Sequence, residues 1–262
     1  LAYHLGLPAF VVLVFLLGGI FFGSDPDIMC GLVLEYAVPV AVLSVMWTGL
    51  FQANLSPTLA TLLVSTVASP LTLPLTLKLL LGQTVQVDVA GMMFSMLVSI
   101  ALPACAGMAV NDLSHGWGKK ALSPAVAPAA RILMVRVLLS NSTEVSSYVH
   151  NLTPMLVGVV VFIGFFASTG YIWGMVLARL THQPRGSLIS MTYLCGMRNI
   201  SAGAVIAASY FPGEAMYPVI MGTLFQQVLA ALFSEVTKRV AGESEPEADE
   251  EPLPAPSRAS AR

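Results

Sequence analysis

The sequence predicts an all-α polytopic membrane protein with eight transmembrane helices. Hydrophobic residues form 56% of its 262 residues and charged residues only 10%, and the mean hydropathy is +0.80. Soluble domains carry about 25% charged residues, so this chain has too few to cover a surface that faces water. A net charge of −2 also provides no basic field for nucleic acid. The composition therefore favours the lipid bilayer as surroundings and excludes an ordinary cytosolic enzyme, a disordered protein and a nucleic-acid-binding protein.

Eight apolar stretches of about 20 residues, the length that crosses a bilayer, define the predicted spans. In chain order they are Leu5–Phe22, Ile28–Phe51, Leu55–Leu81, Val89–Val110, Leu122–Leu139, Thr153–Leu180, Ser187–Phe211 and Met216–Val236. Short segments rich in Gly, Pro, Asn, Asp and Ser separate several of them, and these residues favour turns. The fifth span is the weakest, because Arg131 and Arg136 interrupt it.

The first span begins almost at the first residue, with no basic segment before it. This favours a spanning helix over a cleaved signal peptide. Because the chain starts with Leu1 rather than Met, we expect a truncated N-terminus.

Proline and glycine interrupt several spans, with Pro39 in the second, Pro70 and Pro74 in the third, Pro103 in the fourth and Gly196 in the seventh. Proline frees a backbone carbonyl group, which must be satisfied within the membrane. Each residue alone is compatible with a simple kink. Together they favour discontinuous helices, which many transporters use to build a binding site at the midplane.

The basic residues predict the orientation. If the spans alternate, eight of these residues lie on one side: Lys119, Lys120, Arg179, Arg185, Lys238, Arg239, Arg258 and Arg262. Only Lys78 and Arg136 lie on the other side. Cytoplasmic loops carry the excess of Lys and Arg, so we expect a multi-pass cell-membrane protein with both termini in the cytoplasm. Residues 242–262 are acidic and rich in Pro, Ala and Ser, which predicts a disordered tail; a docking role is the alternative.

Arg198 lies near the middle of the seventh span. An arginine at this depth costs at least about 2.5–3.5 kcal/mol and cannot lose its proton, so it should face protein or water and have a partner. An anion-binding site is one interpretation, and a structural ion pair or snorkelling is the other. Glu35, inside the second span, is a candidate partner. The smaller polar residues Asn199, Ser44 and Thr48 also lie within spans, where such residues often form helix–helix hydrogen bonds.

The run Cys195-Gly196-Met197-Arg198-Asn199 resembles the second broken-helix motif of the bile acid:sodium symporter family. Residues 31–44, with Pro39 at their centre, resemble the matching helix of the first half, and residues 67–74 resemble the helix that follows it. The resemblance covers nearly the whole chain apart from the tail.

This resemblance implies an inverted-repeat transporter fold in which two broken helices cross at Pro39, Cys195, Gly196 and Met197. The family has a six-helix core and a four-helix panel. This chain would match the last eight helices and lack the first two. Residues 1–81 would form the first core triplet, 82–152 a partial panel of two helices and 153–241 the second core triplet.

The sequence departs from the family pattern at positions that coordinate sodium in the family. Leu194 occupies the position of the acid that helps to coordinate sodium, and Arg198 replaces the motif's Gln. The polar pair of the first broken helix becomes Ser44-Val45, and Leu62 lacks the hydroxyl group that Thr58 keeps. Hard cations need several oxygen ligands, so we expect the sodium ligands to be largely lost, with no metal or other cofactor required.

The sequence therefore predicts a secondary transporter of a small organic anion that works by alternating access. Arg198 would supply fixed positive charge, and the substrate site would also include Asn199, Ser44, Thr48 and Glu35. The alternative is a degenerate, non-transporting membrane protein of the same fold. An enzyme is not expected, because no His-Glu-x-x-His or Gly-x-Ser-x-Gly motif occurs. The oligomeric state stays open.

Overall fold

The computed structural model describes residues 2–150 and 153–241, and these form a succession of helices. The predicted tail at 242–262 lies outside the described residues. The helices are α1 Ala2–Phe22, α2 Pro26–Ala37, α3 Leu43–Leu50, α4 Leu55–Leu81, α5 Val89–Met96, α6 Leu102–Leu113, α7 Ser123–His150, α8 Pro154–Leu180, α9 Arg185–Gly196, α10 Ile200–Tyr210 and α11 Met216–Ala241. π-helical turns occupy Leu97–Ala101 and Gly118–Leu122, and a short 3₁₀ turn occupies Gly213–Ala215.

Among the described residues, four helical stretches are long and apolar enough to cross a bilayer: Leu55–Leu81, Val89–Leu113, Pro154–Leu180 and Gly213–Val240. Two shorter apolar helices occupy Gly6–Phe22 and Ile200–Tyr210. Many large apolar side chains on these helices are exposed at the surface of the fold, as expected where lipid replaces water. The all-helical membrane architecture is thus confirmed.

The helix that contains the fifth predicted span extends beyond the end of that span. The sequence predicted Leu122–Leu139, whereas α7 continues to His150. Hydropathy marks only where the apolar stretch stops, and the polar residues that follow contain no glycine or proline before Pro154. The backbone therefore continues as a helix beyond the apolar part.

Prolines affect the predicted spans differently. Pro39 lies in a non-helical break, whereas α4 is continuous through Pro70 and Pro74, so the expectation of a discontinuous helix is wrong there. Pro70 cannot donate a hydrogen bond to the Thr66 carbonyl group. The Ser69 hydroxyl group donates to that carbonyl instead, at 2.8 Å, and this replacement lets the helix continue.

Helix ends gather at two ends of the fold. At one end, Arg179 Nη2 donates to the Val240 carbonyl group at 3.0 Å, and the Ser190 hydroxyl group donates to the Asn54 carbonyl group at 2.8 Å. At the other end, carboxylate oxygens of three acids lie within 4.8 Å of one another: Asp25, Asp27 and Glu214. The start of α2 therefore meets the start of α11, while the loop after α3 meets α9.

Two glycines of α8 bring this helix against the backbone of α9. A Cβ atom on Gly170 would lie 2.8 Å from the Cys195 carbonyl oxygen, and one on Gly174 would lie 2.8 Å from Thr192 Cα. Such small residues four positions apart let membrane helices approach closely. This contact places the end of α9 inside the helical assembly.

Candidate functional site

Two interrupted helices cross inside the fold. Residues 38–42 separate α2 from α3, and residues 197–199 separate α9 from α10. Val40 and Arg198 form an antiparallel bridge between the two breaks. The Ala41 amide donates to the Met197 carbonyl group at 3.2 Å, and the Asn199 amide donates to that of Pro39 at 2.8 Å. The first interruption contains Pro39 and the second begins at Met197, directly after Cys195 and Gly196 at the end of α9.

Local chemistry explains why α9 and α10 separate here. The Asn199 side chain accepts a hydrogen bond from the Ala202 amide at 3.3 Å and so caps the start of α10. Gly196 ends α9 against the Tyr171 ring, which a Cβ atom would overlap. Gly196 is still helical, and its lack of a side chain permits this close approach.

Side chains from two other helices satisfy the amides at the bridge. The Val40 amide donates to Ser65 Oγ of α4 at 3.1 Å. The Arg198 amide donates to Gln226 Oε1 of α11 at 2.9 Å. Neither Ser65 nor Gln226 was predicted as a site residue from the sequence. The only signal for either was a polar residue inside an apolar span.

A small pocket with room for about one water molecule lies beside the crossing and is lined by Arg198 and Glu35. Arg198 is 7% exposed and Glu35 is 3% exposed. Gln226, Cys195 and Gly196 also line it. Within the described part of the chain, Glu35 Oε2 has no hydrogen-bond partner. Arg198 and Glu35, far apart in the sequence, therefore line one small pocket.

The structure does not bring Ser44 and Thr48 into this lining. Both are buried in α3. The Ser44 hydroxyl group donates to the Ala41 carbonyl group at 2.7 Å, and the Thr48 hydroxyl group donates to the Ser44 carbonyl group at 2.8 Å. Their donor hydrogens are thus used locally, and their part in substrate binding stays a prediction.

Apolar side chains occupy the surroundings where the resemblance places cation ligands. Leu62 and Leu194 belong to one buried cluster with Val40 and Cys195, and Val45 packs against it. Thr58 is buried, and its hydroxyl group donates to the Asn54 carbonyl group at 3.2 Å. Aliphatic carbon offers no ligand to a hard cation.

A larger pocket borders the first break at Pro39. Its lining includes four hydroxyl-bearing residues of α4: Ser65, Ser69, Thr72 and Thr76. These side chains line a space large enough for several water molecules, and one of them, Ser65, binds the Val40 amide.

Comparison with known proteins gives two matches. The model of the sodium bile acid symporter family matches residues 3–152, a range that includes the first break. The uncharacterized protein YbaS of Bacillus subtilis (strain 168) is 35% identical over 222 residues, which cover 85% of this chain and 72% of YbaS.

Proposed function

The chain belongs to the sodium bile acid symporter family, and from this premise we propose that it is a secondary transporter of a small organic anion that works by alternating access. The observation that carries the proposal is the burial of Arg198 in the cavity at the helix crossing. A fixed guanidinium group can bind a carboxylate through two parallel hydrogen bonds.

The proposed architecture has eight spans in an inverted repeat, with both termini in the cytoplasm. The first core triplet would comprise α1 to α4, the partial panel α5 to α7 and the second core triplet α8 to α11. The two breaks have equivalent supports, because Ser65 comes from α4, the second α-helix after the first break, and Gln226 from α11, the second α-helix after the other break. Matching supports of this kind are expected if two halves repeat.

We further propose that Arg198 replaces sodium as the source of positive charge. The apolar cluster around Leu62 and Leu194 supports this view, since it offers no ligand for a hard cation. The same cluster also favours the second candidate function, a non-transporting protein of this fold. Flux separates the two, because only a transporter moves labelled substrate.

The experiment measures uptake of labelled pyruvate and labelled cholate, a small and a large carboxylate, into proteoliposomes. We expect Arg198→Gln to lose about 10- to 100-fold in uptake, because removing a charged hydrogen-bonding group costs roughly 1.5–3 kcal/mol. Arg198→Lys should keep part of the activity, because lysine retains charge but not the planar fork. Lys78→Gln removes a basic residue that is outside the cavity lining and serves as the matched control.

Two outcomes would count against the proposal. Full uptake by Arg198→Gln would remove the guanidinium group from the mechanism. If Arg198 only pairs with Glu35, the double change Glu35→Gln with Arg198→Gln should transport normally, and this result would make the pair structural.

A further inference from the structure

Glu35 introduces a carboxyl group into the cavity of Arg198, where anion binding alone does not explain it. The side chain is 3% exposed, and Oε2 accepts no hydrogen bond from the residues that the structure describes. Glu35 lies in the last turn of α2, where helix carbonyl groups carry partial negative charge and no basic residue of that turn offsets it. Gly222 of α11 packs so closely that a Cβ atom would overlap the carboxyl group. The fold therefore holds this acid away from water with one oxygen unsatisfied.

Few titratable groups surround this carboxyl group. Arg198 supplies the other charge in the described lining and is close enough to act on Glu35 electrostatically. Cys195 and Tyr36 are weak acids, and the Tyr36 hydroxyl group donates to the Ile163 carbonyl group at 3.0 Å. The remaining lining from α1, α8, α10 and α11 carries no acid or base: Phe10, Phe166, Ala167, Gly170, Ile200, Gly222 and Gln226.

An anion that binds beside Arg198 brings a second negative charge close to Glu35, because both side chains line the same small pocket. Like charges repel strongly where water is excluded. A proton on Glu35 removes that repulsion and leaves one negative charge near Arg198.

We propose that Glu35 is a proton-binding site whose protonation accompanies anion binding beside Arg198, so that the anion crosses the membrane together with a proton. This inference rests on the proposed transport function and names its coupling ion. On the uptake side, Glu35 takes a proton as the anion binds beside Arg198. On the release side, the anion leaves and the Glu35 carboxyl group gives up its proton. A monovalent anion then moves without net charge.

The experiment uses proteoliposomes of the full chain with labelled pyruvate and cholate, and two modes of transport are measured. Exchange at equal pH on both sides tests transport itself. Accumulation with the outside one pH unit more acidic tests coupling, and an electroneutral proton symporter should reach about tenfold. Accumulation should not change when a potassium diffusion potential is imposed. Protein-free vesicles give the passive entry of each acid.

Glu35→Gln keeps the size of the side chain and removes the titrating group. We expect this variant to lose pH-driven accumulation, and any exchange of labelled anion that it keeps should not respond to pH. Glu214→Gln removes an exposed carboxyl group outside the cavity and should behave like the native protein. In weakly buffered solution, pyruvate or cholate should cause proton uptake by purified native protein and none by Glu35→Gln.

The outcomes separate the two proposals. Exchange by the native protein without a response to the proton gradient would overturn the proton site and leave the transport function standing. Retained pH-driven accumulation in Glu35→Gln would overturn it as well. If the native protein exchanges neither probe, the transport proposal fails, and the proton site fails with it.

Discussion

Replacing Ser65 by alanine should weaken the support of the first helix break. Ser65 Oγ accepts a hydrogen bond from the Val40 amide at 3.1 Å, and Val40 is completely buried. Without this acceptor the amide loses its bond, and an unsatisfied buried donor costs about 1–3 kcal/mol. Because Ser65 borders the larger pocket at Pro39, a water molecule can enter and accept the bond. We therefore expect the lower half of the range, about 1–2 kcal/mol, which lowers the folding equilibrium constant about 5- to 30-fold.

Unfolding of purified protein in mixed micelles, titrated with sodium dodecyl sulfate and followed by circular dichroism, measures this change. Ser168→Ala is the matched control, because its hydroxyl group donates to the Gly164 carbonyl group within α8 at 2.8 Å. That carbonyl keeps its helical hydrogen bond, so we expect nearly unchanged stability. Equal stability of Ser65→Ala and Ser168→Ala would refute the role of Ser65.

Two further predictions concern packing and topology. Gly174→Ala should destabilise the protein by about 1–3 kcal/mol in the same assay, because its Cβ atom would overlap the α9 backbone. The control Gly107→Ala places its Cβ atom in open space and should leave stability unchanged. Equal effects of the two changes would refute close packing of α8 on α9. Cysteines introduced at Ser24 and Lys119 should react with membrane-impermeant reagents from outside and inside the cell respectively, and labelling of Lys119→Cys from outside would contradict the proposed orientation.

Apolar periods and turn residues were enough to predict the helical membrane fold. Interruptions were also predicted near Pro39, which cannot donate a hydrogen bond, and near Gly196 in the motif that resembles a broken helix. These sequence signals could not decide which prolines break a helix. That depends on replacement bonds such as the one from Ser69 to the Thr66 carbonyl group, and Ser69 is one of many hydroxyl residues in the span.

Only part of the candidate site could be predicted. Arg198 and Glu35 could be found because a charge within a span is costly, and the structure places both in one cavity. Ser65 and Gln226 could not be distinguished from ordinary polar residues, because their roles depend on which backbone amides at the crossing lack a backbone acceptor. Gly222 was missed because its importance arises from a carboxyl group on another helix.

Sodium dependence of anion binding tests most directly whether Arg198 replaces the cation. Equilibrium binding of labelled pyruvate and cholate to purified native protein would be compared in sodium chloride and choline chloride at one pH and one ionic strength. A fixed guanidinium group needs no cation from solution, so the account predicts equal affinities in the two salts and loss of binding in Arg198→Gln. Binding that strengthens with sodium would contradict it.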